Sequence, residues 1–172
     1  PLIELNLIHC RGLTNKGIAH LAHLPLQRPS WSDYKLITNK ALAHLRDIHV
    51  QPLQVFDVGN MPDHSSFLPA TGMRLTSLDI SYCSQITDDG LAHLQLIPLQ
   101  QLRVAGCRLL SDKGLAYLKG MRLTSLDISS CYEITDNGLA HLKKLLPLLR
   151  DLCQASCANI SDIGLTYLQG MH

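Results

Sequence analysis

Two stretches of the chain are almost identical: MRLTSLDISYCSQITDDGLAHL at residues 73–94 and MRLTSLDISSCYEITDNGLAHL at residues 121–142. Between them, PLQQLRVAGCRLLSDKGLAYL at residues 98–118 keeps the same pattern with different letters. Self-similarity at a fixed period of about 20–50 residues is typical of repeat architectures. The sequence therefore predicts a repeat protein.

The pattern extends in both directions as LxxLxLxxCxx[LI][TS][DN]xGLAxL and covers nearly all of the 172 residues. We predict a single domain over residues 1–172. Its opening, inside a repeat and without methionine, leads us to expect a fragment of a longer protein. The predicted repeats begin at Leu2, Leu26, Leu53, Leu75, Leu99, Leu123 and Leu149.

Each repeat has two halves with different periods. LxLxx alternates, which predicts a strand with one buried face. Leu91, Leu94 and Ile97 are three residues apart, which predicts a short helix with one buried stripe, and a Thr/Ser–Asp/Asn pair before it can cap that helix. One such unit cannot bury its own apolar face, but stacked copies can. The predicted fold is an α/β solenoid, a right-handed β-α superhelix of about seven repeats, with a curved parallel sheet on the concave face and short helices on the convex face.

Two repeats depart from the pattern. The second has Pro29, Trp31 and Tyr34 where two leucines and the cysteine are expected, and the third loses the pattern over residues 59–72. These segments are either loops in which sequence changes are tolerated or a distinctive binding site. The second alternative is considered because functional loops are often carried by regular scaffolds. For Trp31 we predict a buried position.

The cysteines follow the repeat. Because cysteine recurs at one position of the repeat, its side chain is expected to pack in the core of each repeat. Its thiol can also act as a weak hydrogen-bond donor there. We therefore predict reduced thiols, which favours the cytoplasm, and leave a disulfide framework as the alternative. No CxxC occurs, so the usual zinc spacing is not present. Cys10, Cys83, Cys107, Cys131 and Cys157 share one position, and Cys153 is the exception.

Histidines also recur at one helix position, at His20, His44, His93 and His141, where two other repeats have tyrosine. Because tyrosine replaces a zinc ligand poorly, this interchange indicates packing. A metal site formed by His20 and His44 is the alternative. No Ser-His-Asp pattern, glycine-rich phosphate loop or HExxH string is present. We expect no enzyme activity and no cofactor.

The charge and hydropathy of the chain indicate which classes of partner to expect. The formal net charge is +1, from 15 basic and 14 acidic residues, so the basic excess of a nucleic-acid binder is missing. No apolar run reaches the ~18 residues that a membrane span needs, and no secretion leader is recognisable. We expect neither nucleic acid nor membrane as a partner.

The strands carry the candidate binding surface. Positions are numbered from the first leucine of each repeat, and the residues at one position in all repeats are called a column. The side chains of columns three, five, seven and eight should point outward from the sheet. They hold six acids and two bases, which predicts a mildly acidic groove for a basic or polar protein segment. Tyr82 is its aromatic anchor, and Arg103 should pair with its acidic neighbours. The predicted partner-binding residues are Asp57, Asp79, Ser81, Tyr82, Arg103, Asp127 and Ser129.

The LxxLxLxxCxx[LI]TDxGL pattern resembles the cysteine-containing leucine-rich repeats of F-box substrate receptors. Its GLAHL variant is similar to GALA-type repeats of intracellular bacteria. The resemblance implies a protein–protein interaction module. More specific alternatives are the substrate-recognition arm of an SCF-type ubiquitin ligase and a bacterial effector acting on proteins in the host-cell cytoplasm. A metal-binding or a structural, oligomerising protein is the alternative of another class.

Overall fold

The computed structural model describes residues 2–7, 10, 12–21, 24–50, 74–143, 145 and 147–169. Short strands and short helices alternate throughout these residues. The strands are β1 (Glu4–Asn6), β2 (Arg28–Ser30), β3 (Ser77–Asp79), β4 (Gln101–Arg103), β5 (Ser125–Asp127) and β6 (Asp151–Cys153). The helices are α1 (Asn15–Leu21), α2 (Asn39–Val50), α3 (Asp88–Ala92), α4 (Asp112–Tyr117), α5 (Asp136–Leu142) and α6 (Asp162–Thr166).

The six described strands form one parallel sheet in chain order, β1 to β6. Each strand and the helix that follows it make one coil, which we call a rung and number from 1 to 6 by its strand. Helices of neighbouring rungs also contact each other, from α1 and α2 through to α5 and α6. The predicted α/β solenoid of stacked strand–helix units is therefore confirmed.

The number of stacked rungs differs from the prediction. Ser30 of β2 pairs directly with Asp79 of β3, so the second and fourth predicted repeats are adjacent in the sheet. The third predicted repeat, which begins at Leu53, belongs to residues 51–73, outside the described residues. The described stack has six rungs rather than seven because β3 follows β2 without another strand between them.

The repeat leucines form a continuous core. In rung 3, Leu75, Leu78 and Ile80 are fully buried, and their equivalents in rungs 4 and 5 are buried as well. Burying each such side chain contributes about 1.5–3 kcal/mol relative to exposure. Trp31 and Tyr34 of the irregular second repeat also lie in this core, which confirms the buried position predicted for Trp31.

The cysteine column links successive rungs. The Cys107 Sγ–H donates to the Ile80 carbonyl oxygen of the preceding rung at 3.2 Å, and Cys83, Cys131 and Cys157 make the equivalent bond. In rung 2, Tyr34 occupies this position, and its hydroxyl oxygen accepts from the Cys10 backbone N–H at 3.1 Å. All six cysteines are free thiols.

The Thr/Ser–Asp/Asn pair has two roles. Ser111 Oγ accepts from the Lys113 backbone N–H at 3.3 Å, and Thr135 and Ser161 make the equivalent bond, which confirms the predicted cap for α4, α5 and α6. Thr87 makes no such bond at α3. Asp88, one rung earlier, accepts from the Ser111 backbone N–H at 2.8 Å and from its hydroxyl at 2.7 Å. This second bond pair, which we call the Asx ladder, runs between rungs and was not predicted. Its bonds join Asn15 to Thr38, Asn39 to Thr87, Asp88 to Ser111, Asp112 to Thr135 and Asp136 to Ser161.

The repeat glycine makes room for this ladder. A Cβ added at Gly114 would meet Asp88 Oδ1 at 2.5 Å, and Gly90, Gly138 and Gly164 are equally close to the Asx side chain of the preceding rung. Glycine at this column therefore lets each carboxylate or amide lie flat against the next helix.

None of the described helices is long and apolar enough to cross a membrane.

Candidate functional site on the strand face

Column five forms a row across the whole sheet. The parallel register places Asp79 beside Arg103, and Arg103 beside Asp127. The outward side of this row, together with columns three and eight, is called the strand face below. The complete row is Asn6, Ser30, Asp79, Arg103, Asp127 and Cys153.

Arg103 is held between two carboxylates. Its Nη1 lies 3.8 Å from Asp79 Oδ2, and its Nε lies 3.5 Å from Asp127 Oδ2, as the sequence predicted. The Arg103 side chain is 59% exposed, whereas Asp79 and Asp127 are only 17% and 16% exposed. A partner approaching this row therefore meets the guanidinium first.

The aspartates also bind their own strands. Asp79 Oδ1 accepts from the Ser81 backbone N–H, and Asp127 Oδ1 accepts from the Ser129 N–H, both at 3.0 Å. Asp79 Oδ2 further accepts from the Ser30 hydroxyl at 3.3 Å. These bonds turn the carboxylates back along the sheet and leave them little exposed surface.

Column seven does not point outward as expected. Ser32, Ser81 and Ala105 are buried and Ser129 is half-buried, whereas Ala155 in rung 6 is exposed. The reason is that the chain turns sharply at column eight, immediately after these small side chains. Ser81 and Ser129 therefore support the strand face through their backbone, and the expected exposure of column seven is wrong for rungs 2 to 4.

Column eight adopts the left-handed backbone conformation. Tyr82 has φ +58° and is 56% exposed. Its ring lies against Gly106 of the next rung, where an added Cβ would collide with the ring. Tyr82 is thus supported on one side and exposed on the other. The same conformation occurs at Asp33, Gly106, Ser130 and Ser156, with φ between +57° and +68°.

The acidic character is weaker than the sequence suggested. Asp57 lies outside the described residues. Arg28 is within 3.1 Å of Glu4, so both bases of the strand face are paired with acids. The acids of its described part are Glu4, Asp33, Asp79, Asp127 and Asp151, and its bases are Arg28 and Arg103.

The helix face carries the histidine and tyrosine positions. Arg46 of rung 2 donates to His93 Nδ1 of rung 3 at 3.0 Å, and the Lys113 ammonium lies 5.8 Å from the centre of the Tyr117 ring. Both contacts are of the packing and hydrogen-bonding kind that the His/Tyr interchange suggested. In the part of the chain that the structure describes, no group of three or more His, Cys, Asp or Glu residues is placed to hold a metal ion.

Part of the chain is similar to known repeat proteins. A family model described as "Leucine Rich repeat" matches residues 74–94 and 122–143, which belong to rungs 3 and 5. Two of the six described rungs therefore match known leucine-rich repeats. The chain also superposes on a chain in the crystal structure of the Rad7 and Elc1 complex in yeast, with a TM-score of 0.64 and 21% identity. The match covers 91% of this chain and 35% of the yeast chain, so it shows a common fold over about a third of the yeast chain.

The support beneath Tyr82 was not predicted from the sequence. The signal was present, because Tyr82 and Gly106 occupy the same column in consecutive rungs. It could be interpreted only once column eight was known to be left-handed and close to the next rung. The low exposure of the Asp79 and Asp127 carboxylates was also not predicted, because it depends on how the chain turns after each strand.

Proposed function

We propose that this chain is a protein-interaction module that binds its partner on the strand face of rungs 3 to 5, with Tyr82 and Arg103 as the main contacts. The observation that carries the proposal is the exposed Tyr82 ring resting on Gly106. Tyrosine and arginine are enriched among residues that dominate interface energies. A ring already supported on one side loses little conformational freedom when a partner covers the other.

Arg103 is pre-organised in the same way. Two carboxylates hold its guanidinium at 3.8 and 3.5 Å, while more than half of the side chain stays exposed. The Asp79–Arg103–Asp127 row has a formal charge of −1, and most of the surface of its two carboxylates is covered. This arrangement favours a polar segment that can hydrogen-bond to the guanidinium over a strongly basic one.

The experiment compares two tyrosine-to-serine variants in affinity capture from extracts of the source organism, with quantitative mass spectrometry. Tyr82→Ser places serine in a conformation that Ser130 and Ser156 already adopt, so the fold should be unaffected. Tyr132→Ser is the matched control, because Tyr132 is also exposed but lies outside the strand face, over Arg108. We expect a set of proteins that Tyr132→Ser captures as well as the unchanged chain does. Tyr82→Ser should capture at least tenfold less of each of them. Equal capture by both variants would contradict the proposal.

The contribution of charge is tested with Asp79→Asn and Asp127→Asn together. The amide oxygens can still accept from the Ser81 and Ser129 N–H groups, so charge is removed while these bonds are preserved. If the partner segment is basic, binding should weaken and lose its salt dependence. Unchanged binding would show that a polar rather than a basic segment is recognised.

Two finer roles belong to the same proposal. A substrate-recognition arm of an SCF-type ubiquitin ligase is supported by the motif resemblance and by the fold shared with a chain of the Rad7 and Elc1 complex. A bacterial effector acting on host proteins is supported by the GLAHL variant alone. Captured ubiquitin-ligase subunits or captured host proteins would distinguish the two.

A further inference from the structure

The segments between each helix and the next strand form a further side of the solenoid, which we call the return side. In rungs 3 to 5 these segments are residues 95–98, 119–122 and 143–148. Each has one side chain buried in the core: Ile97, Met121 or Leu145. Rungs 2 and 6 lie on either side of these three rungs, so all three segments belong to internal repeats.

The return side is basic. Its three segments contain four basic residues and no acidic one, although the whole chain has 14 acidic residues. Three of the four, Lys119, Arg122 and Lys143, are described and exposed, and none of them makes an ion pair within the described residues. Basic side chains elsewhere on the solenoid are paired with acids, as at Arg28, Arg46, Arg103 and Lys113. The positive charge of the return side is therefore available to a partner.

These basic residues are close enough to act together. Lys119 and Lys143 occupy the same position in adjacent rungs, and Arg122 lies between Lys119 and the start of β5. Neighbouring strands of a sheet are about 4.8 Å apart, whereas charges are screened over about 8 Å at physiological salt. A carboxylate beside one of these side chains is therefore attracted by the others as well.

An exposed leucine lies beside the basic residues. Leu96 is 67% exposed, and the same position of the next rung is Gly120, with φ +90°. Apart from the two chain neighbours of Gly120, no heavy atom lies within 4 Å of a Cβ added there. The surface next to Leu96 is therefore open. An apolar side chain placed over Gly120 would contact Leu96 and the aliphatic part of Lys119.

We propose that the return side of rungs 3 to 5 binds an acidic protein segment that also carries apolar side chains. Lys119, Arg122 and Lys143 contact its carboxylates, because opposite charges on two surfaces favour their association. Leu96 and the open surface over Gly120 receive its apolar side chains. The proposal does not depend on partner binding at the strand face.

Two other kinds of anionic partner fit this surface less well. A nucleic acid would neutralise the basic side chains through its phosphates but would leave Leu96 exposed. A membrane is bound best by surfaces that also place aromatic side chains at the bilayer interface, and the three segments contain no aromatic residue. An acidic segment with apolar side chains satisfies both the charge and the leucine.

The experiment measures binding of labelled probes to the purified chain by fluorescence anisotropy. The main probe is a peptide of glutamate and leucine, and the second is the same peptide with serine in place of leucine. The third is a single-stranded DNA oligonucleotide of the same net charge. We expect the glutamate–leucine peptide to bind about fivefold more tightly than either of the others, because only its leucines bury apolar surface against Leu96. Co-sedimentation with phosphatidylserine vesicles, at the same concentration of negative charge, should retain less protein than the peptide binds.

Variants locate the binding on the return side. Lys119→Glu combined with Arg122→Glu should weaken binding of the glutamate–leucine peptide about tenfold or more, and Leu96→Ser about fivefold. The matched control is Lys16→Glu combined with Lys40→Glu, which makes the same change of charge at exposed positions of α1 and α2 and should leave binding unchanged. Circular dichroism of each variant checks that the solenoid is folded.

Tyr82→Ser separates this proposal from the one on the strand face, because it should bind the glutamate–leucine peptide as the unchanged chain does. Absence of peptide binding, equal binding of the serine peptide, or tighter binding of the DNA or the vesicles would overturn the proposal. An equal loss in the Lys16 and Lys40 control would overturn it as well, since the attraction would then not be located on the return side.

Discussion

The cysteines show how repeat position sets the chemistry of a single residue. Cys83, Cys107, Cys131 and Cys157 are buried, whereas Cys10 and Cys153 are exposed. Loss of solvation raises the pKa of Cys83 to about 11 and that of Cys131 to about 12, and it raises the pKa of Cys107 further. Because the thiolate is the reactive form, the buried thiols are protected by both access and protonation.

We therefore expect iodoacetamide at pH 8 to label Cys10 and Cys153 first in the folded protein. Cys83, Cys107 and Cys131 should react at least a hundredfold more slowly. Peptide mass spectrometry after timed quenching measures the rates, and the urea-unfolded chain, in which all six should react alike, is the control. Fast labelling of Cys107 in the folded chain would show that the cysteine column is not packed as described.

At the scale of the element, the Asx ladder fixes where each helix begins. Asp112 accepts from the Thr135 N–H at 2.8 Å and from its hydroxyl at 2.7 Å, and Thr135 in turn caps α5. Hydrogen bonds from Ser161 lower the pKa of Asp136 at the next step of the ladder. Such a carboxylate contributes stability above its unfolded pKa, which is lost as the pH falls through the folded pKa.

Asp112→Ala should lower the free energy of unfolding by about 1–3 kcal/mol, because it leaves the N–H and hydroxyl of Thr135 without their acceptor. Asp112→Asn should cost clearly less, since the Asn39 side chain accepts from the Thr87 N–H and its amide donates to the Thr87 hydroxyl, so an asparagine can also bond to both groups. Urea denaturation measures both variants, and Asp89→Ala, at an exposed position outside the ladder, is the control. Equal losses for alanine and asparagine would show that the ladder bonds are not the source of the effect.

At the scale of the whole molecule, β2 and β3 are adjacent although 46 residues separate Ser30 from Ser77 in the chain. The end of α2 is also close to the start of rung 3, because His49 Nε2 accepts from the Leu75 N–H at 3.4 Å. A short connection can therefore join these two rungs.

We expect that replacing residues 52–72 with a short Gly-Ser linker preserves the six-rung sheet. Shortening a closed loop about fourfold lowers its entropic cost by about 1 kcal/mol, so stability should stay the same or rise slightly. Far-UV circular dichroism and thermal melting measure the outcome, with the fluorescence of buried Trp31 reporting on rung 2. Loss of cooperative melting would show that residues 52–72 are needed for the stack.

The repeat pattern by itself determined the strand–helix unit, the parallel stack and the burial of the leucine, isoleucine and cysteine columns. These features depend on residue type at a fixed position, and stacking requires the same burial in every copy. The packing of the cysteine column and the pairing of Arg103 with its flanking aspartates followed from the same register.

Only the tertiary structure decided which rungs are neighbours and what the strand face exposes. The adjacency of β2 and β3 depends on a contact between Ser30 and Asp79, 49 residues apart, which no local pattern encodes. The covered carboxylates, the left-handed column eight and the Tyr82 ring on Gly106 depend on the turn after each strand and on the rung beside it. Side-chain direction at those positions is set by contacts between rungs, so it could not be obtained from alternation along one strand.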